Sequence, residues 1–99
     1  MTATTPSRAG KQRLDQLLVE VRAWRREARR VVFTNGCFDV LHSGHVSLLE
    51  RAAAHGDALI VAINKDASVR SLKGEGRPVN SEVDRARVLS GLGCVERVI

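Results

Sequence analysis

The sequence predicts an α/β fold, a parallel sheet flanked by helices. Three observations carry that prediction. Apolar residues at helical spacing alternate along the chain with short β-branched runs. One run, Ala58 to Ile63, is apolar without a break, as in a strand covered on both faces. The resulting order, helix and then strand–helix–strand–helix–strand, is that of parallel strands joined by crossovers. At 99 residues the chain suffices for one compact domain.

Residues 1–11 read as a disordered tail, rich in Thr and Ser with a Pro and a Gly and no periodicity, and the domain is expected over 12–99. From Leu14 the pattern changes. Leu14, Leu17, Leu18, Val21, Trp24 and Ala28 fall at helical spacing and predict an amphipathic helix of about four turns, with Trp24 in its packing face. Val31, Val32 and Phe33 open a buried strand that ends at Asn35-Gly36. A loop follows to Ser43. Gly44 or His45 then opens a second helix, with Val46, Leu49, Ala52 and Ala53 inward and Gly56 as its stop. After the strand Ala58–Ile63, a short helix is expected over Asp66 to Leu72, and Gly74, Gly76 and Pro78 mark a loop. Ser81-Glu82-Val83-Asp84 is a capping-box pattern that starts another helix, with Val83, Ala86 and Leu89 as its core face. Gly91 or Gly93 ends it, and Val95 to Ile99 reads as a third strand.

Charge and composition exclude several classes of function. The net charge is +5, but residues 1–30 hold eight basic and three acidic residues and therefore the whole surplus. Residues 31–99 are neutral. The run Arg25-Arg26-Glu27-Ala28-Arg29-Arg30 has no interleaved aromatic residues and lies at a helix end, where cations favour the dipole. It reads as a solvated face, not a nucleic-acid site. No apolar stretch approaches the ~18 residues of a membrane helix, and the first ten residues lack a signal core, so a cytoplasmic location is expected. Cys37 and Cys94 stand too far apart in sequence for a metal-binding pair and read as free thiols.

In open parallel sheets, ligands bind beyond the carboxyl ends of the strands. That edge holds Asn35-Gly36-Cys37-Phe38-Asp39-Val40-Leu41-His42-Ser43-Gly44-His45. A glycine directly after a strand lets backbone approach a ligand closely. The loop then runs into a helix N-terminus, whose free N–H groups and positive dipole end favour anions. Two histidines flank a Ser-Gly pair there, and their imidazoles can donate to phosphate oxygens. The plainer reading has His42 capping the helix and His45 packing on its surface. A zinc set of Cys37, His42 and His45 lacks a nearby fourth ligand, and no metal ligands are assigned. Gly74-Glu75-Gly76 lacks the third glycine and the preceding strand of a dinucleotide fingerprint.

The run Thr34 to His45 resembles the Gly-x-Phe-Asp-x-x-His-x-Gly-His signature of the cytidylyltransferase-like nucleotidyltransferases. The segments Asn64-Lys65-Asp66-Ala67-Ser68-Val69, Leu72-Lys73-Gly74 and Gly76-Arg77-Pro78-Val79-Asn80 resemble the branch that adenylylates D-glycero-β-D-manno-heptose 1-phosphate. The resemblance covers about residues 12–99. It implies a Rossmann-like fold of the His-x-Gly-His type and transfer of AMP from ATP to a sugar 1-phosphate, with pyrophosphate released and ADP-heptose formed. Under it, Thr34, Asn35, Gly36, Cys37, Phe38, Asp39 and Gly44 would cradle the nucleotide. His42 and His45 would contact the α- and β-phosphates. Lys73 would hold a phosphate, and Arg85 would reach toward the phosphates from the following helix. Asp39 would support the loop or the magnesium environment. Asp66 would bind substrate hydroxyls or cap its helix, and Arg77 would reach a phosphate or order its loop. Mg²⁺ would enter on the ATP phosphates.

The resemblance further implies a homodimer and, in the fused form of the enzyme, a heptose kinase partner, with neither nucleic acid nor membrane involved. The family's domain adds two more strands and a late Ser-Thr-Thr-Lys-Ile-like motif, so this sequence corresponds to its N-terminal two-thirds and lacks the C-terminal strands. In the strand order 3-2-1-4-5 the first strand would lie at an open edge. Two alternatives follow: a cytidylyltransferase for glycerol 3-phosphate or a similar alcohol phosphate, and a nucleotide-binding fragment without catalysis of its own.

Overall fold

A computed structural model describes residues 11–99. Of the tail expected over residues 1–11, residues 1–10 lie outside the described residues, while Lys11 is tied to the sheet. Lys11 forms an isolated parallel bridge with Val98.

Helix α1 spans Leu14–Arg26 and packs through Leu17, Val21 and Trp24. Leu14 and Leu18, expected on its apolar face, are exposed, because the stripe that meets the sheet is only as wide as those three residues. The helix also stops short of Ala28. Ala28 takes the left-handed conformation (φ 60°), its N–H bonds to the Arg25 carbonyl, and the Arg29 N–H bonds back to the Trp24 carbonyl. That is a Schellman stop with alanine where glycine is usual.

Strands β1 (Val31–Gly36) and β2 (Ala58–Ile63) pair in parallel, with Val31 opposite Ala58 and Gly36 opposite Ile63. Strand β3 (Arg97–Val98) pairs in parallel with the other side of β2, giving the order β1-β2-β3. It is shorter than expected, although the Glu96 and Ile99 N–H groups still bond to the Leu59 and Val61 carbonyls. The carbonyls of Arg30 and Gly36 accept from the Ala58 and Asn64 N–H groups. Even-numbered residues of β1 therefore bond toward β2. Val31, Phe33 and Asn35 turn their backbone groups to an edge that is open among the described residues.

Central β2 places its side chains in two layers. Leu59, Val61 and Ile63 pack with Leu49, Ala86, Leu89, Val95 and Val98 on one face. Ala58 and Ile60 pack with Leu17 and Trp24 on the other. Each fully buried aliphatic side chain contributes about 1.5–3 kcal/mol relative to exposure. The first face carries helices α2 (Ser43–Ala53) and α4 (Glu82–Ser90). Ser81 caps α4 by accepting the Asp84 N–H. Val83, expected in the core, is exposed, because the buried face of α4 runs through Arg85, Ala86, Leu89 and Ser90. Helix α3 (Asp66–Lys73) buries only Val69.

One polar pin joins α1 to the sheet. The buried Arg97 guanidinium donates to both Glu20 carboxylate oxygens, at 3.2 and 2.8 Å, and lies 5.6 Å from the Trp24 ring centroid. No helix among the described residues is long and apolar enough to cross a membrane.

Candidate active site

The loop after β1 is shaped by close approaches. A Cβ on Gly36 would stand 2.9 Å from the Phe38 ring, so only glycine admits that ring. Phe38 is buried and sits at φ 48°, a conformation that costs a non-glycine residue about 1–3 kcal/mol. Burial of the ring offsets that cost. Phe38 meets His45 edge to face, with centroids 5.5 Å apart.

Helix α2 opens at Ser43, one residue before the earliest expected start, because His42 itself is the N-cap. Its Nδ1 accepts the Gly44 N–H at 3.0 Å, and Nδ1 of His45 accepts the His42 N–H at 3.2 Å. The imidazole rings stack with centroids 3.9 Å apart. Both Nδ1 atoms act as acceptors, so the geometry assigns the Nε2–H tautomer to both rings. Two Nε2–H donors are then left at a helix N-terminus. The plainer reading of His42 as a cap is correct and is compatible with a functional one, since capping uses one ring nitrogen and leaves the other. Burial lowers the His45 pKa, and the neighbouring His42 and Lys73 lower it further electrostatically. A Cβ on Gly44 would stand 2.8 Å from Cε1 of His42, which explains the small residue between the histidines.

Asp39 is turned inward. Its carboxylate accepts from Arg77 Nη1 at 2.7 Å and from the Val79 and Asn80 N–H groups at 2.7 and 3.0 Å. Its carbonyl accepts from the Asn80 side chain at 2.8 Å. Burial raises its pKa, but the Asn80 N–H, the Arg77 guanidinium and the Val79 N–H outweigh burial and hold the carboxyl below its ordinary range. The structure thus gives Asp39 and Arg77 to ordering the 77–80 segment.

Arg85 is also turned inward. Its guanidinium donates to the Asn80, Cys37 and Asn64 carbonyls at 3.1, 2.7 and 2.9 Å and to Asp66 Oδ1 at 2.8 Å. Four such bonds use most of the five N–H donors an arginine carries. They tie the histidine loop to the end of β2, the start of α3 and the segment before α4. The Cys37 thiol accepts from the Asn64 side chain at 3.4 Å.

The structure brings the two histidines together at the start of α2, beside the loop that follows β1. Thr34 and Asn35 sit at the carboxyl end of β1, half-buried and exposed respectively. Lys73, in the last turn of α3, is close enough to act electrostatically on His45. Asp66 faces Arg85. Asn64, Asn80 and Glu82 were missed as site-forming residues. No local signal marks their role, since each works through a contact distant in sequence. Among the described residues, no three His, Cys, Asp or Glu converge as a metal cage. A separate cleft of about 730 Å³ opens between the start of α1 and the ends of β2 and β3, lined in part by Lys11, Gln12, Ile63, Lys65 and Ile99.

Residues 33–99 match the family model described as cytidylyltransferase-like. The chain belongs to the cytidylyltransferase-like family. It is 58% identical over 85 residues to the bifunctional protein HldE of Wolinella succinogenes, covering 86% of this chain and 18% of that one. It is 56% identical over 93 residues to the bifunctional protein HldE of Ectopseudomonas mendocina, covering 94% of this chain and 20% of that one. The solved structure of the lipopolysaccharide core biosynthesis protein from Thermoplasma volcanium matches with TM-score 0.66 and 32% identity, covering 72% of this chain and 57% of that one. This chain thus spans about a fifth of the length of the curated relatives it matches. As a cytidylyltransferase-like domain it carries the nucleotidyltransferase fold, here a parallel three-stranded sheet with flanking helices.

Proposed function

We propose that this chain forms the phosphate-gripping part of an adenylyltransferase that joins ATP to heptose 1-phosphate. The products are ADP-heptose and pyrophosphate. One observation carries the reading: the reciprocal His42–His45 cap, which leaves two aligned Nε2–H donors at the N-terminus of α2. The two HldE relatives and the resemblance of the segments around Asp66, Lys73 and Arg77 support the heptose branch.

In this reading an oxygen of the sugar 1-phosphate attacks the α-phosphorus of ATP in line. The bond from that phosphorus to the bridging oxygen breaks, and pyrophosphate leaves with the electron pair. The chain's own contribution is positioning and charge stabilisation. His42 and His45 donate from Nε2 to the α- and β-phosphate oxygens. Lys73 supplies a mobile cation at the same place. Asp39 and Arg85 act from behind, holding the loop segments that present these groups. Magnesium, bound through the ATP phosphates, would neutralise charge on them. The reading places the enzyme in the cytoplasm with ATP, and carries with it a homodimer and a kinase partner.

A second reading, nucleotide binding without turnover, is favoured by the open edge of β1. The crevice beside that edge has one wall among the described residues. Pyrophosphate release measured with ATP plus heptose 1-phosphate, and with CTP plus glycerol 3-phosphate, separates the readings. Release with the first pair alone is expected. Release with the second pair alone would assign a cytidylyltransferase, and ATP binding without release would assign the non-catalytic role.

A further inference from the structure

Helix α3 carries Lys73 in its last turn, near enough to act electrostatically on His45, yet the helix is lightly held. Its one buried residue is Val69. The residue before the helix, Lys65 at the N-cap position, makes no side-chain cap bond. What fixes the start of the helix is a pair of polar contacts on Asp66. The Asp66 N–H donates to Oε1 of Glu82 at 3.2 Å, and its carboxylate accepts from the buried Arg85 at 2.8 Å. Glu82 is in turn fixed by Lys11, whose Nζ donates to Oε2 at 3.1 Å. Glu82 is the first residue of α4, so it links α4, α3 and the segment bridged to β3. Both oxygens of its carboxylate are spent on segments outside its own helix.

We propose that Glu82 is a positioning residue, which with Arg85 pins Asp66 and so sets where α3 carries Lys73 relative to His42 and His45. The proposal deepens the adenylyltransferase reading, because Lys73 is there the cation at the phosphates. A helix held at one end by a hydrogen-bonded carboxylate and along its length by one valine can pivot when that carboxylate is removed. The far end, with Lys73, then moves most. Glu82 touches no substrate in this scheme. Lys11, Asp66 and Arg85 are the charged groups its carboxylate chain engages.

The test reads the His45 imidazole by NMR titration in the 99-residue chain, without reference to turnover. Lys73→Ala is expected to move the His45 pKa upward, since a nearby positive charge is removed. Glu82→Ala is expected to move it in the same direction. The double variant is expected to match Lys73→Ala alone, because Glu82 acts through Lys73. Glu82→Gln, which keeps an oxygen for the Asp66 N–H, is expected to restore most of the wild-type value. Val69→Ala, which loosens the apolar anchor, supplies the same direction should Glu82→Ala fail to fold. An unchanged His45 pKa in Lys73→Ala, an unchanged one in a folded Glu82→Ala (or, where that variant does not fold, in Val69→Ala), or additive shifts in the double variant would each overturn the proposal. If the shifts follow the expected pattern while no pyrophosphate is released from ATP and heptose 1-phosphate, the transfer reading fails and the positioning role stands.

Discussion

The backbone N–H of His42 donates to Nδ1 of His45 at 3.2 Å, so each imidazole is oriented by the helix start it helps to cap. Structure and chemistry share one set of bonds here. Whatever disturbs the cap disturbs the donors.

His45→Ala removes one Nε2–H donor and the edge-on partner of Phe38, and leaves the sheet untouched. Losing one donor to developing charge costs roughly 10²–10³-fold in kcat. The fold should persist, with a small stability cost of about 0.5–2 kcal/mol from the lost cap partner. Single-turnover pyrophosphate release and a thermal melt test the two halves of this prediction. Near-normal turnover would remove the mechanism.

Gly44→Ala separates activity from stability more sharply. The added Cβ would stand 2.8 Å from the His42 ring, which must move. Misplacing a positioned group by an ångström costs about 10²-fold. Alanine inside a helix gains roughly 0.5–1 kcal/mol over glycine, which offsets most of a weakened cap. The expected outcome is a large loss of kcat with a nearly unchanged Tm. A Tm loss as severe as that of a core truncation would show the glycine to be structural.

The pH dependence of stability has a definite sign. Burial, His42 and Lys73 lower the folded-state pKa of His45 below the ordinary 6.5. The unfolded chain therefore takes up the proton first as pH falls. The His45 contribution is complete above about pH 6.5 and is lost below it. Protonated Nδ1 also cannot accept the His42 N–H, so the cap opens. Asp39 adds an acid limb, since its lowered pKa gives a contribution present above the ordinary 3.8 and lost below it. Urea midpoints between pH 7.5 and 5, compared between wild type and His45→Gln, isolate the first limb. A wild-type midpoint that rises relative to the variant on acidification would contradict the assignment.

Arg97→Met tests the pin between α1 and β3. The Arg97 side chain is 1% exposed and its partner Glu20 only 16%, so removing the cation strands a largely buried carboxylate. Breaking such a pair costs about 3–5 kcal/mol. The exposed Arg25→Met change should stay within about 0.5 kcal/mol. Urea unfolding of the two variants side by side measures the contrast, and equal midpoints would show the pair to be energetically idle.

The histidine site was legible because its logic is local. Gly36, Phe38, His42, Gly44 and His45 lie within ten positions, and their spacing already implies a strand end, a close approach and a helix start. The same holds for β2, whose unbroken apolar run announces a strand covered on both faces. What local pattern could not reveal was the destination of the charged side chains. Arg85 and Arg97 look like surface residues of a helix and a strand, yet both are buried. Val83 looks like a core residue and is exposed, because the helix rotates to bury Arg85 instead.

The sequence by itself thus determined the element order, the parallel sheet, the position of the histidine loop and the family. Tertiary structure alone decided which polar groups are drawn inward to hold the scaffold. Apolar periodicity reports the average character of a face, and that average survives without knowledge of neighbours. A buried guanidinium is tolerated only where acceptors converge on it. For Arg85 they come from Cys37, 48 positions away, and for Arg97 from Glu20, 77 positions away. Those partners exist for each other only once the chain has folded.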